Sequence, residues 1–209
     1  RDLHSFPTRR SSDLHSRVRV TTPEAMEIVR MVLTGQVQRR LVSRLNQRDS
    51  LAVGISGEDG ALFNAKRRTG VDEQGEEIDF GLVGEITSVD PSAVLELLDA
   101  GRIPVISSIA IDQDNARQVL NINADAAASA LAVALGASKL LMLTDVEGVY
   151  SNYPDPDSLL HHTTPSQLRA LGDAISSGMI PKVQACLQAI EGGVDAVHGL
   201  WRSEERRVG

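Results

Sequence analysis

Residues 121–150, NINADAAASALAVALGASKLLMLTDVEGVY, indicate a polar turn, an apolar helix, a short strand and an acidic turn in succession. Ala and Leu are strong helix formers and dominate residues 126–135, and Gly136 is placed to end that helix. The apolar run at residues 139–143 predicts a strand buried on both faces of a parallel sheet. Because ligands bind at the carboxyl ends of such strands, residues 144–150 form the first candidate site.

The rest of the chain alternates strand and helix patterns on both sides of this stretch. We predict further strands at residues 18–20, 51–56, 80–89, 103–111 and 194–197, and further helices at residues 21–45, 91–100, 164–175 and 179–190. Gly35 is a potential break in the first of these helices. Such alternation is typical of the α/β class, and it predicts a three-layer α/β/α sandwich on a mainly parallel open sheet.

The two ends of the chain differ in character from the middle. Residues 1–14, RDLHSFPTRRSSDL, lack apolar periodicity, and their acidic residues argue against a transit peptide. This stretch and the tail RSEERRVG look like translated sequencing-adapter sequence. We therefore predict a non-native or disordered leader at 1–16, one α/β domain at 17–200 and a non-native or disordered tail at 201–209.

Composition narrows the classes of function. The chain has 209 residues, 42% of them hydrophobic and only 3% aromatic, which predicts an aliphatic core of useful size. A net charge of −7 argues against a nucleic-acid partner. No apolar run approaches the length of a membrane span. With Cys186 as the single cysteine, no disulfide can form within the chain, and a soluble protein of a reducing compartment is expected.

Several familiar sites are absent from the sequence. There is no GxxxxGK[ST] phosphate loop, no GxGxxG turn and no GxSxG elbow. Asp112 and Asp114 begin a pattern like a calcium loop, but the required glycine is missing. His161 and His162 lie in a polar stretch without a second ligand cluster. We predict no protein-bound metal site.

Five polar residues near the ends of predicted elements remain as candidates. Arg19 closes a strand and would either bind a carboxylate through two hydrogen bonds or form a surface ion pair. Asn121, Asn123 and Asp125 would either cap a helix or orient a ligand. Lys182 falls in the first turn of a predicted helix, where its charge opposes the helix dipole. A phosphate is the natural partner for a cation in that position.

Three segments together resemble one known family. They are the stretch at 121–150, GMIPKVQACLQAIEGGVDAVH at 178–198, and RVTTPEAMEIVRMVL at 19–33. The spacing of N-x-N-A-D, T-D-V-x-G-[VL]-Y and S-G-M-x-x-K is specific, and the resemblance covers residues 17–198. The chain is similar to the amino-acid kinase family, and within it to the kinases of N-acetylglutamate.

The resemblance implies an activity: ATP-dependent phosphorylation of the γ-carboxylate of N-acetyl-L-glutamate, the second step of arginine biosynthesis. It implies ATP with Mg²⁺ as a substrate complex, no tightly bound cofactor, a cytoplasmic location and a homo-oligomeric parent protein. A kinase of another small acid (glutamate, aspartate or carbamate) is one alternative. A non-catalytic nucleotide-binding module is another.

The resemblance also assigns roles to individual residues. Lys182 would stabilise charge on the transferring phosphoryl group, and Asp125 would orient the catalytic lysines. The substrate would be bound by Arg19, Asn121 and Asn123. The nucleotide site would be lined by Thr144, Asp145, Gly148, Val149, Tyr150, Ser177, Gly178 and Met179.

The chain departs from the family pattern in two places. The family begins with a strand that carries a lysine and a Gly-Gly phosphate loop, followed by a His-Gly-Gly-Gly segment, and it closes with a hairpin beyond the last strand predicted here. None of these segments occurs in the sequence. Because preorganised donors contribute on the order of a hundredfold each to rate, we expect negligible turnover by this polypeptide itself.

Overall fold

The computed structural model describes residues 14–15, 18–71, 75–144, 149–152, 155–171 and 179–201. The chain divides into two compact units, Arg1–Asn123 and Ala124–Gly209. Within the described ranges, no helix has both the length and the apolar character that a bilayer crossing requires.

The N-terminal unit contains eight described strands and three α-helices. The strands are β1 (Leu14–His15), β2 (Val18–Arg19), β3 (Ala52–Ser56), β4 (Phe63–Val71), β5 (Glu77–Val89), β6 (Ile103–Ser107), β7 (Ile109–Asp112) and β8 (Asn115–Ile122). The helices are α1 (Pro23–Arg30), α2 (Gln38–Leu45) and α3 (Ser92–Asp99). β1 and β2 pair antiparallel, with Leu14 opposite Arg19.

The first helix starts as the sequence predicts. The Thr22 hydroxyl accepts a hydrogen bond from the Ala25 N–H at 3.2 Å, and Pro23 occupies the first turn. The helix does not break at Gly35. Instead, residues Met31–Val37 form a π-helical segment that joins α1 to α2 without interruption.

Helix α2 is tied to a pair of parallel strands by one buried amide. β3 and β6 pair parallel in register from Ala52 with Ile103 onward. The Gln38 side chain is 4% exposed, and its Nε2 donates to the carbonyl oxygens of Ile55 and Val105 at 2.5 and 3.0 Å and to the Ser107 hydroxyl at 3.1 Å. These contacts hold the helix against both strands.

Four strands of the N-terminal unit close into a barrel in the order β4, β5, β8, β7. The β4–β5 and β7–β8 pairs are antiparallel, and the β4–β7 and β5–β8 pairs are parallel. Closure removes the exposed edges that open strands carry. The four strands carry buried apolar side chains, among them Phe63, Ala65, Phe80, Leu82, Ile109, Ala110, Leu120 and Ile122.

The C-terminal unit is a smaller α/β arrangement. Its elements are α4 (Ala124–Ala134), β9 (Lys139–Thr144), α5 (Pro165–Leu171), α6 (Ile180–Glu191) and β10 (Ala196–Trp201). β9 and β10 pair parallel. Gly136 follows α4 with φ +60°, the left-handed conformation expected of a helix-ending glycine. The core of this unit consists of Ala132, Leu140, Met142, Ala185, Ala189 and Val194.

The α/β class is confirmed, whereas several element predictions need correction. The stretch at 103–111 is two strands, because β6 pairs with β3 and β7 turns into the barrel. The strands β4 and β8 were not predicted, and the barrel adds antiparallel pairs to a sheet expected to be mainly parallel. The last strand begins at Ala196, two residues later than expected.

The prediction that β9 is buried on both faces is wrong for the described residues. Leu140 and Met142 are buried, but Leu141 and Leu143 are 55% and 76% exposed. Successive side chains point to opposite faces of a strand, and one face of β9 packs on the helices while the other is open. The predicted division of the chain at residues 16 and 200 stays a prediction.

Candidate functional site

A charged pair lies in the C-terminal unit at the start of two helices. The Lys182 Nζ donates to both carboxylate oxygens of Asp125, each at 3.2 Å. The side chains of Lys182 and Asp125 are 25% and 22% exposed. The pair is therefore partly shielded from water, yet it remains open to a ligand.

Local sequence explains why these two residues lie in first turns. Asp125 is the second residue of α4, where an acid interacts favourably with the helix dipole. α6 begins at Ile180, with Pro181 in its first turn and Lys182 next. The backbone N–H groups of a first turn have no partner within the helix, so such a position favours an anion. A lysine beside them can hold a phosphate group.

The charges of this pair influence the pKa of the Cys186 thiol. The thiol is half-buried against the core of the C-terminal unit. Burial, and then the negative charge of Asp125, raise the pKa of this thiol, whereas the positive charge of Lys182 acts to lower it. The neutral thiol is thus favoured, which agrees with the interpretation of Cys186 as a core residue.

The residues predicted to bind nucleotide are only partly described. Thr144 is the last residue of β9 and pairs with Trp201, Val149 accepts a backbone hydrogen bond from Leu160 at 2.8 Å, and Tyr150 forms a bridge with Leu159. Met179 caps the start of α6. Four predicted residues lie outside the described residues, namely Asp145, Gly148, Ser177 and Gly178.

The residues predicted to bind substrate belong to the N-terminal unit. Arg19 ends β2. Asn121 lies in β8 instead of in the turn before the helix, and its Nδ2 lies 3.5 Å from the buried Thr21 hydroxyl. Asn123 is exposed between β8 and α4. The roles of all three residues stay predictions.

Other polar groups have a structural explanation. Asp112 is 2% exposed and accepts from the Nε of the half-exposed Arg67 at 3.3 Å, so the first acid of the calcium-like pattern is a buried carboxylate paired with an arginine at the barrel. His161 and His162 are exposed, as expected for a polar loop. The described residues contain no cluster of three or more His, Cys, Asp or Glu side chains suited to a metal ion.

The sequence reasoning missed one residue next to the charged pair. Ser129 is the single polar residue in the run AAASALA, it is 0% exposed, and its hydroxyl donates to the Ala185 carbonyl oxygen at 2.9 Å. A serine inside an otherwise apolar helix was the available signal.

Comparison with known proteins gives consistent results. The model of the "Amino acid kinase family" matches residues 3–198. The acetylglutamate kinase of Beutenbergia cavernae is 58% identical over 188 residues, which cover 90% of this chain and 60% of that protein. The acetylglutamate kinase of Leifsonia xyli is 57% identical over 184 residues, which cover 88% and 61%. The chain thus spans about 60% of the length of these curated relatives.

A solved structure has a similar fold. The N-acetylglutamate synthase of Neisseria gonorrhoeae, crystallised with coenzyme A and N-acetyl-glutamate, superposes with a TM-score of 0.71 at 26% identity. The match covers 88% of this chain and 40% of that one.

Proposed function

The chain belongs to the amino acid kinase family, and from this membership we propose that it is part of an enzyme that phosphorylates the γ-carboxylate of N-acetyl-L-glutamate with ATP. The observation that carries the proposal is the 58% identity with an acetylglutamate kinase across 90% of this chain. No observation favours a kinase of another small acid or a non-catalytic module. An enzyme that draws on ATP and amino-acid pools is expected in the cytoplasm.

The geometry of Lys182 and Asp125 supports phosphoryl transfer. In this reaction negative charge spreads over the oxygens of the transferring group, and the protein contributes mainly by positioning and by positive charge. The Lys182 ammonium would bind those oxygens, while Asp125 holds it in place through two contacts of 3.2 Å. The substrate carboxylate is the nucleophile, so the chain need not supply one.

Kinases of this family use ATP together with Mg²⁺. Because Mg²⁺ in such sites is carried mainly by nucleotide phosphates and water, a dedicated cage of protein ligands is not required. Mg-ATP would therefore be bound as a substrate complex.

The remaining assignments follow the resemblance. Arg19 would form two hydrogen bonds with a carboxylate of the substrate, with Asn121 and Asn123 as further contacts. Adenine nucleotide would contact the turn after β9 and the start of α6, through Thr144, Asp145, Gly148, Val149, Tyr150, Ser177, Gly178 and Met179.

We also propose a homo-oligomer that buries one face of the helix at residues 23–45. Apolar side chains on this helix are 38–62% exposed: Ile28, Met31, Val32, Val37, Leu41 and Leu45. Such a patch is typical of a protein interface. Acidic residues begin the helix and arginines lie toward its end. Two copies packed antiparallel about a twofold axis would therefore bring opposite charges together.

The oligomer is tested by sedimentation of the purified chain. Leu41→Glu places a charge in the proposed interface and should reduce the sedimenting mass to that of a monomer. Leu98→Glu changes a similarly exposed leucine on α3 and should leave the mass unchanged. If the purified chain without substitutions already sediments as a monomer, the proposal is contradicted.

The activity is tested with a chimera that supplies the remaining length of the relatives. Residues 17–198 replace the matching segment of the Beutenbergia cavernae enzyme, and the acyl phosphate product is trapped with hydroxylamine. We expect product with N-acetylglutamate and none with glutamate, aspartate or carbamate. The unmodified chain in the same assay tests the expectation of low turnover.

Two outcomes would contradict the proposed activity. Turnover with another acid as the preferred acceptor would favour a sibling kinase. Binding of Mg-ADP without turnover on any acceptor, in a chimera that melts cooperatively, would favour a nucleotide-binding module.

A further inference from the structure

A buried hydroxyl joins the two helices that carry the charged pair. Serine in the middle of a helix commonly points to solvent or donates back to the carbonyl oxygen four residues earlier in the same helix. Ser129 instead donates across to the Ala185 carbonyl oxygen of α6 at 2.9 Å, and its side chain is 0% exposed. The hydroxyl therefore connects two elements instead of adjusting one.

This hydrogen bond lies one helical turn from the Asp125–Lys182 pair. Ser129 follows Asp125 by four residues on α4, and Ala185 follows Lys182 by three on α6. Residues three or four apart share one face of a helix, so the two contacts are neighbouring links between the same two faces. The residue nearer the start of α4 meets the residue nearer the start of α6, and the later residue of α4 meets the later residue of α6. The two helices therefore lie side by side and run parallel.

Small side chains allow the close approach that these links need. Ala132, Ala185 and Ala189 are 6%, 3% and 0% exposed in the core between α4, α6 and β9. Alanine side chains form only low ridges on a helix surface, so a directional hydrogen bond adds a constraint on sliding and rotation to the one that packing supplies.

We propose that Ser129 is a positioning residue, whose hydroxyl sets the axial position and rotation of α4 against α6 and so holds the Asp125 carboxylate opposite the Lys182 ammonium. The consequence for phosphoryl transfer rests on the proposed function. A lysine side chain has four rotatable carbon bonds and loses much of its freedom when it is held. A displacement of about 1 Å in a catalytic group is enough to lower a rate by as much as a hundredfold.

Cys186 allows the geometry to be tested without measuring activity. It is the single cysteine of the chain, and it follows Lys182 by one turn on α6. The charged groups that act on its thiol are Asp125 and Lys182, in opposite directions. The pH dependence of its alkylation by iodoacetamide therefore reports how near the Lys182 charge is held.

The experiment is a double-mutant cycle on the purified chain. In the parent, Lys182→Met removes the positive charge and should raise the apparent thiol pKa. In the Ser129→Ala background the same change should raise it by less than half as much, because Lys182 is no longer held in place. An equal rise in both backgrounds would overturn the proposal.

Two further variants separate positioning from general stability. Ala127→Gly weakens the same buried part of α4 through its backbone and should keep the full effect of Lys182→Met. Ser129→Thr retains the hydroxyl and should keep it too. Ser129→Ala removes one oxygen and leaves the Ala185 carbonyl within the hydrogen-bond ladder of α6, so a folded chain is expected. A loss of effect in Ala127→Gly equal to that in Ser129→Ala would mean a merely structural role.

Kinetic measurements on the chimera then test whether the position of α4 against α6 affects the reaction. Ser129→Ala should lower kcat about tenfold with little change in KM for ATP, since it disturbs alignment and not binding. Ser129→Thr should restore the rate. If the thiol cycle behaves as expected and the chimera does not phosphorylate any acceptor, the proposed activity fails while the positioning role stands. If the chimera is active and the cycle shows no difference, only the positioning role fails.

Discussion

Gln38 in the N-terminal unit and the Asp125–Lys182 pair in the C-terminal unit are both polar contacts between a helix and its neighbour. Gln38 is 4% exposed, its amide is neutral, and its Nε2 makes three contacts with oxygen atoms of β3 and β6. The Asp125–Lys182 pair is charged and is about one quarter exposed. The Gln38 contact is inaccessible to a ligand, whereas the Asp125–Lys182 pair is accessible.

The difference separates a contact that serves stability from one suited to binding. A buried neutral group with all its hydrogen bonds made stabilises the fold and offers nothing to a ligand. An ion pair near the surface contributes little to stability. An ammonium group has three protons, and in the described structure Lys182 directs its contacts at a single carboxylate. Substitutions in the two regions should therefore affect different measurements.

The largest expected effect is that of Lys182→Met on turnover. Loss of a positively charged donor to the transferring phosphoryl group should lower kcat of the chimera by about a hundredfold to a thousandfold. The unfolding free energy should change by less than about 1 kcal/mol, because the pair is partly exposed. Lys139→Met, at the exposed start of β9, is the matched control and should leave both quantities unchanged. A variant that is fully active would remove Lys182 from the reaction.

Gln38→Ala should have the reverse effect. Removal of the amide leaves oxygen atoms of two strands without their donor and should lower the unfolding free energy by about 2–3 kcal/mol, measured by urea denaturation. Gln36→Ala on the same helix is exposed and should change it by less than about 0.5 kcal/mol. Equal losses for the two glutamines would mean that the contacts with β3 and β6 are not what stabilises this region.

The two faces of β9 give a comparison within one strand. Met142 is 5% exposed and packs in the core, so Met142→Ala should lower the unfolding free energy by about 2 kcal/mol or more. Leu143 is 76% exposed, and Leu143→Ala should cost less than about 0.5 kcal/mol. A large loss at Leu143 would show that this face is covered in solution.

The smallest effect is expected from pH. Because the pKa of the Cys186 thiol is raised in the folded chain, folding favours the neutral form. The resulting stability is present below the ordinary thiol value of 9.0 and is lost as the pH rises above it. Urea denaturation of the parent and of Cys186→Ala on both sides of that pH should show a slightly steeper decline for the parent. Parallel declines would contradict the shift.

Helix starts and helix ends were predicted from the sequence because they depend on residues that are close together along the chain. The cap at Thr22, the turn at Gly136 and the position of Lys182 in a first turn depend on residues within four positions of each other. Sequence patterns also identified Asp125, and the structure brings it to Lys182. The predicted roles of the substrate-binding and nucleotide-binding residues remain to be tested by experiment.

Pairings between distant segments could not be predicted in the same way. β4 contains Lys66, Arg67 and Arg68 in succession, which hides its alternation, and its partners are β5 and β7. A run of apolar residues such as that in β9 does not reveal which face will be covered. The Ser129–Ala185 hydrogen bond ends on a backbone oxygen, so its acceptor has no signature in the sequence.

The π-helical segment at Met31–Val37 joins α1 to α2. The number of residues in this segment therefore determines which way the side chains of α2 point relative to those of α1. α1 packs on β5 and β8, while α2 packs on β3 and β6. An α-helix turns by about 100° per residue, so deletion of one residue at Gly35 would rotate Gln38 away from the strands without changing a single contacting side chain. An insertion or deletion here would change which side chains of α2 face the strands. A substitution at Gly35 would not, because the position is exposed and an added side chain meets open space.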